Sequence, residues 1–95
     1  MTGVAIIGLG TMGPGIAATL ARAGLSVRAY DANADQRAKA PAGIASADSI
    51  LASLGMVDRS GGAGVTISDS LADCVANADL VLETVPQILD LKVSI

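Results

Sequence analysis

Apolar positions change period several times along this chain, and each change marks an element. Val4-Ala5-Ile6-Ile7 is a continuous apolar run closed by Gly8, the pattern of a strand buried on both faces. From Thr11 the period becomes helical. Met12, Ile16 and Leu20 recur every four residues among Ala17, Ala18, Ala21 and Ala23, and Gly24 supplies a stop. Pro14 falls where a first turn tolerates it. Ser26 to Tyr30 reads as a second strand ending at Asp31; joined to the first by a helix, it should run parallel with a right-handed crossover. Asp35 to Lys39 begins another helix, which Pro41 and Gly43 are expected to break or bend before helical spacing resumes at Ile44, Ile50, Leu51 and Leu54. A loop over Ser60–Gly64 leads to a short third strand, Val65-Thr66-Ile67, and Ser70 is placed to cap a short helix through Ala76. Leu80-Val81-Leu82 is a fourth buried strand ending near Glu83, Thr84 and Val85. After Pro86, the spacing of Ile88, Leu89, Leu91 and Lys92 predicts a helix interrupted at Ile95.

This order, β-α-β-α-α-β-α-β-(α), predicts an α/β fold with a doubly wound parallel sheet of strand order 3-2-1-4. Residues 1–95 are expected to form one dinucleotide-binding domain, truncated at its C-terminus. The fourth strand would then have an open apolar edge, and such edges recruit partners. A homo-oligomer paired through that strand or the last helix is the corresponding expectation, or a longer chain supplying the missing strands.

Composition narrows the function. The chain is 52% apolar and 16% charged, which excludes intrinsic disorder. Its apolar residues are mostly small: 18 Ala against one Tyr, no Phe and no Trp, which suits thin, closely packed helix–sheet layers. A net charge of −3 with six Lys+Arg argues against nucleic acid or an anionic membrane as partner. The absence of His excludes a His general base, a Ser-His-Asp triad and a His-ligated metal site within these residues. Cys74 stands alone, forms no internal disulfide and suits a reducing cytoplasm; a small helix-packing role is the simplest for it. The apolar run near the start is too short to span a membrane and lacks a basic lead-in, so a soluble cytoplasmic domain is expected.

Gly8-Leu9-Gly10-Thr11-Met12-Gly13 matches G-x-G-x-x-G. Gly8 would allow the tight turn off the strand, Gly10 would admit a pyrophosphate close to the backbone, and Gly13 would let the helix pack on the sheet. The free N–H groups and positive dipole end of the helix then face the phosphates. In an Ala- and Gly-rich chain the bare pattern is weak evidence. Its position between a buried strand and a helix strengthens it, as does Asp31, 18 residues beyond Gly13, where a ribose-binding acid belongs. The competing readings are a ligand-free strand–helix turn, and a solvated or helix-capping Asp31 within D-A-N-A-D. An S-adenosylmethionine site also uses a Gly-rich turn and an acid after the second strand, but the third glycine and the tight spacing favour a dinucleotide. A ribose-binding Asp31 repels a 2′-phosphate, and no Arg follows it directly, so NAD is favoured over NADP.

V-A-I-I-G-L-G-T-M-G-P-G-I-A, L-A-R-A-G-L-S-V-R-A-Y-D and A-D-L-V-L-E-T-V-P-Q-I-L-D-L-K together resemble the NAD-binding domain of L-3-hydroxyacyl-CoA dehydrogenases over essentially the whole chain. The 3-hydroxyisobutyrate dehydrogenase group also favours G-L-G-x-M-G, but its chain from the second strand to the V-P segment is markedly shorter. The resemblance implies that Gly8, Leu9, Gly10, Thr11, Met12 and Gly13 hold the pyrophosphate of NAD and that Asp31 holds the adenosine ribose. It also implies that Gln87, where the family has glutamate, and Lys92 approach the nicotinamide end. It implies an acyl-CoA substrate, although Pro41 disturbs the helix that carries CoA contacts in the family and none is assigned here. The family's catalytic serine, histidine, asparagine and glutamate have no counterpart in these residues, so the chain by itself should not turn over substrate. Related 6-phosphogluconate or carnitine dehydrogenases, and a non-catalytic NAD-sensing module, remain as alternatives.

Overall fold

The computed structural model describes residues 2–60, 64–85 and 88–93, with side chains as far as Thr84. Its elements are β1 (Gly3–Ile7), α1 (Gly13–Arg22), β2 (Ser26–Tyr30), α2 (Ala34–Ser53), β3 (Val65–Ile67), α3 (Leu71–Val75), β4 (Leu80–Val85) and β5 (Ile88–Val93). The sheet order is β3-β2-β1-β4-β5. The first four strands are parallel and reproduce the expected 3-2-1-4 arrangement. β1 lies between β2 and β4, with Ile6 in register with Ala29 on one side and Leu82 on the other.

The core follows from the small-residue composition. Val4, Ile6, Val27, Ala29 and Leu82 pack with Leu9, Ala17, Ala21 and Ala40 in one buried cluster. Alanines on the helix faces let the backbone layers approach closely, and the branched residues of the strands fill the space between. Arg22 is the charged exception. Its side chain is 9% exposed and bridges α1 to α2 through Nη1 to Asp48 Oδ1 at 2.7 Å. Nη2 donates to the Met56 carbonyl, also at 2.7 Å.

Two expectations need correction. Pro41 neither breaks nor ends its helix: α2 runs unbroken for 20 residues from Ala34 to Ser53. A proline there removes one i→i−4 hydrogen bond, but tertiary contacts hold the helix on both sides of it. Ala40 is 1% exposed, and Arg22 grips Asp48. Gly43 lies so near Pro14 of α1 that a Cβ on it would stand 3.3 Å from the proline ring.

The second correction concerns the last segment, which is the strand β5 and not a helix. It pairs antiparallel with β4, Val85 opposite Ile88 and Leu80 opposite Val93. Leu89-Asp90-Leu91-Lys92-Val93 alternates apolar and polar with period two, a strand signal inside a segment that also fits helical spacing. β4 therefore has no open edge: β5 covers it and becomes the sheet's outer strand on that side.

Candidate functional site

The C-terminal ends of the parallel strands gather the expected residues. Ile7, Tyr30 and Glu83 stand in register on β1, β2 and β4, so Gly8, Asp31 and Thr84 are neighbours one step further along. The carboxyl ends of the strands, beside the central strand of a doubly wound sheet, are where such folds bind ligands.

Gly8 is fixed from two sides. Its N–H donates to the Tyr30 carbonyl at 2.7 Å, and its carbonyl accepts from Thr84 Oγ1 at 2.8 Å. Its φ of +110° is a left-handed conformation, and a Cβ would collide with the Thr84 carbonyl oxygen. A Cβ on Gly13 would in turn strike the Gly8 carbonyl, so the third glycine lets the helix start against the strand end. Gly10 is different, because a Cβ there meets nothing within 4 Å. It faces open space.

Helix α1 begins without a side-chain cap, since Met12 at the N-cap makes no capping hydrogen bond and the first turn has no acidic residue. Pro14 has no N–H to offer. Among the described residues, the N–H groups of Gly10, Thr11, Met12, Gly13 and Gly15 have no protein acceptor. Helix ends normally satisfy such donors with side chains, water or ligand. Thr11 and Met12 are exposed beside Gly10.

Asp31 ties the turn to the second strand. Its Oδ2 accepts the Leu9 N–H at 2.8 Å, and its Oδ1 accepts the Asn33 N–H at 2.8 Å. Asn33 is the N-cap of α2, accepting from the Asp35 and Gln36 N–H groups. The helix-capping reading of D-A-N-A-D thus belongs to Asn33, which Asp31 supports. A carboxylate offers about four acceptor sites, so two hydrogen bonds leave capacity for ribose hydroxyls. Gln87 lies outside the described residues. The backbone of Lys92 pairs with Val81 in β5, and its side chain is likewise outside them.

Two residues the sequence reading missed belong to this region. Thr84 clamps Gly8 from 76 positions away. Arg37, in the first turns of α2, reaches back to the Asp31 carbonyl with Nη1 at 2.7 Å and lies 5.5 Å from the Tyr30 ring centroid. Neither pairing leaves a local sequence signal.

A four-stranded parallel α/β sheet with a glycine turn of free N–H groups over its central strand defines a Rossmann-type dinucleotide-binding domain. The family profile described as "3-hydroxyacyl-CoA dehydrogenase, NAD binding domain" matches residues 3–95, and the chain belongs to that family. It is 45% identical over 93 residues to a 5-formyl-3-hydroxy-2-methylpyridine 4-carboxylate 5-dehydrogenase of Mesorhizobium japonicum, covering 97% of this chain and 30% of that protein. An L-carnitine dehydrogenase of Nocardiopsis dassonvillei is 35% identical, with 97% of this chain and 28% of that protein covered. A crystal structure of a 5-formyl-3-hydroxy-2-methylpyridine 4-carboxylic acid 5-dehydrogenase, described as an NAD+-dependent dismutase, superposes with a TM-score of 0.83 at 44% identity, covering 93% of this chain and 29% of that one. The chain therefore spans about 30% of the length of these relatives.

Proposed function

We propose that the turn from Gly8 to Gly13 holds the pyrophosphate of NAD, and that the Asp31 carboxylate accepts hydrogen bonds from the adenosine ribose. One observation carries this reading: among the described residues the N–H groups of Gly10 to Gly13 and of Gly15 have no protein acceptor at an uncapped helix start, beside open space over Gly10. The chain's own geometry thus fits the family's cofactor. Gln87 and Lys92 are assigned to the nicotinamide end on the family resemblance alone.

The whole protein is proposed to be a cytoplasmic NAD-dependent dehydrogenase that interconverts an L-3-hydroxyacyl-CoA and its 3-oxoacyl-CoA. When bound, NAD supplies the hydride acceptor. These residues bind and orient it. They hold no histidine, so a histidine base for the hydroxyl proton would have to stand outside them. A second reading, a small free carboxylate as substrate, is favoured by the 45% and 35% identity to dehydrogenases named for a pyridine carboxylate and for carnitine.

The test is an NADH-absorbance assay of the full natural chain with NAD and 3-hydroxybutyryl-CoA, L-carnitine or 5-formyl-3-hydroxy-2-methylpyridine 4-carboxylate. Turnover of the thioester is expected. Turnover of only a free carboxylate moves the assignment to the second reading, and turnover of none contradicts the proposed dehydrogenase substrates. Residues 1–95 alone should give a buffer-level rate with acetoacetyl-CoA and NADH.

A further inference from the structure

With the adenosine ribose placed at Asp31, as proposed above, the carboxylate would repel a 2′-phosphate, but a cation already stands next to it. The Arg37 guanidinium is held by its Nη1 on the carbonyls of Asp31 at 2.7 Å and Ala32 at 3.4 Å. It lies 5.5 Å from the Tyr30 ring centroid. It engages the backbone of Asp31 and makes no ion pair with the carboxylate. Among the described residues its Nε and Nη2 have no acceptor. The residue is half-buried, so its side chain is positioned before any ligand arrives. A guanidinium is always charged and matches phosphate geometry bidentately.

We propose that Arg37 is a second specificity-determining residue at the adenosine end, a poised 2′-phosphate receptor that the Asp31 carboxylate overrides. The proposal rests on the placement of the adenosine ribose at Asp31 argued above. Arg37 is anchored on the main-chain carbonyl of Asp31 itself, the residue assigned to that ribose. Asp31 and Asp35, in the first turn of α2, supply the opposing negative charge. The net preference for NAD is a difference between a repulsive carboxylate and an attractive guanidinium. Removing Asp31's charge therefore does more than relax selectivity, because it exposes a cation already in position.

Asp31→Asn is the suitable variant. It keeps an acceptor for the Leu9 or Asn33 N–H groups while removing the charge. Arg37→Met keeps the aliphatic stem against Tyr30 and removes the guanidinium. Dissociation constants for NAD and NADP would be measured by calorimetry on the full natural chain, for wild type, each single variant and the double variant. Asp31→Asn should raise NADP affinity relative to NAD by about tenfold or more, the scale of one charged hydrogen bond, and the double variant should lose that gain. Arg37→Met alone should weaken residual NADP binding more than NAD binding. A gain that survives in the double variant, or an NADP affinity indifferent to Arg37→Met, overturns the role of Arg37 while wild-type NAD binding still stands. Failure of the wild type to bind NAD overturns the site itself and this inference with it.

Discussion

Each glycine of the G-x-G-x-x-G turn answers a different steric demand, and substitutions should separate them. Gly8→Ala places a Cβ against the Thr84 carbonyl in a left-handed conformation, so a loss of about 2–4 kcal/mol in a denaturant titration is expected. Thr84→Val removes the hydroxyl that donates to Gly8 and should cost about 1 kcal/mol. A neutral Thr84→Val would mean the clamp does not set the turn. The glycines were legible in the sequence because their spacing is local. Thr84 was not, because its partner is brought near only by the pairing of β1 with β4. Cys74 matches its expected packing role, 1% exposed with Sγ 3.9 Å from the Ile6 carbonyl. Burial pushes its thiol above the usual range, against hydrogen bonds with Ser68 and Ile6 and the charge of Arg28, which pull the other way. A raised folded pKa means that the thiol's contribution to stability is fully present below the unfolded thiol pKa and lost as pH rises through the folded one. Stability should therefore fall in that alkaline window, and Cys74→Ala should flatten the fall. Equal alkaline loss in wild type and variant would contradict it.

At the scale of elements, local pattern named β1, α1, β2, β3, α3 and β4, and it erred where tertiary contacts or an ambiguous period decided. Pro41 is a helix breaker by propensity, yet Ala40, Gly43 and the Arg22–Asp48 bridge bind both flanks of α2 to α1. The missing hydrogen bond remains a cost. Pro41→Ala should raise stability by about 1–3 kcal/mol, read as an upward shift in Tm. A downward shift would show that contacts made by the ring outweigh that bond. In β5, the alternation of Leu89 to Val93 competes with the helical spacing of Ile88, Leu89, Leu91 and Lys92. The backbone edge of β4 resolves the competition in favour of a strand, since antiparallel pairing satisfies groups that a helix would leave open.

Over the whole molecule, the sheet order puts β1 at the centre and sends its C-terminal end straight into the turn, so the most protected strand supports the most exposed chemistry. Val4, Ala5 and Ile6 are at most 2% exposed, while Gly10, Thr11 and Met12 stand in solvent. The fold class, the turn and Asp31 were legible because they rest on periodicity and short spacing. Arg37 and Thr84 were not, because they are made by folding. The central claim is that the turn binds NAD through its backbone, with Gly10 leaving room for the pyrophosphate, and Gly10→Val tests it most directly. With no atom within 4 Å of the new Cβ, the variant should keep the wild-type thermal unfolding curve while calorimetric titration with NAD shows binding abolished. Wild-type NAD affinity in a folded Gly10→Val protein would contradict the account.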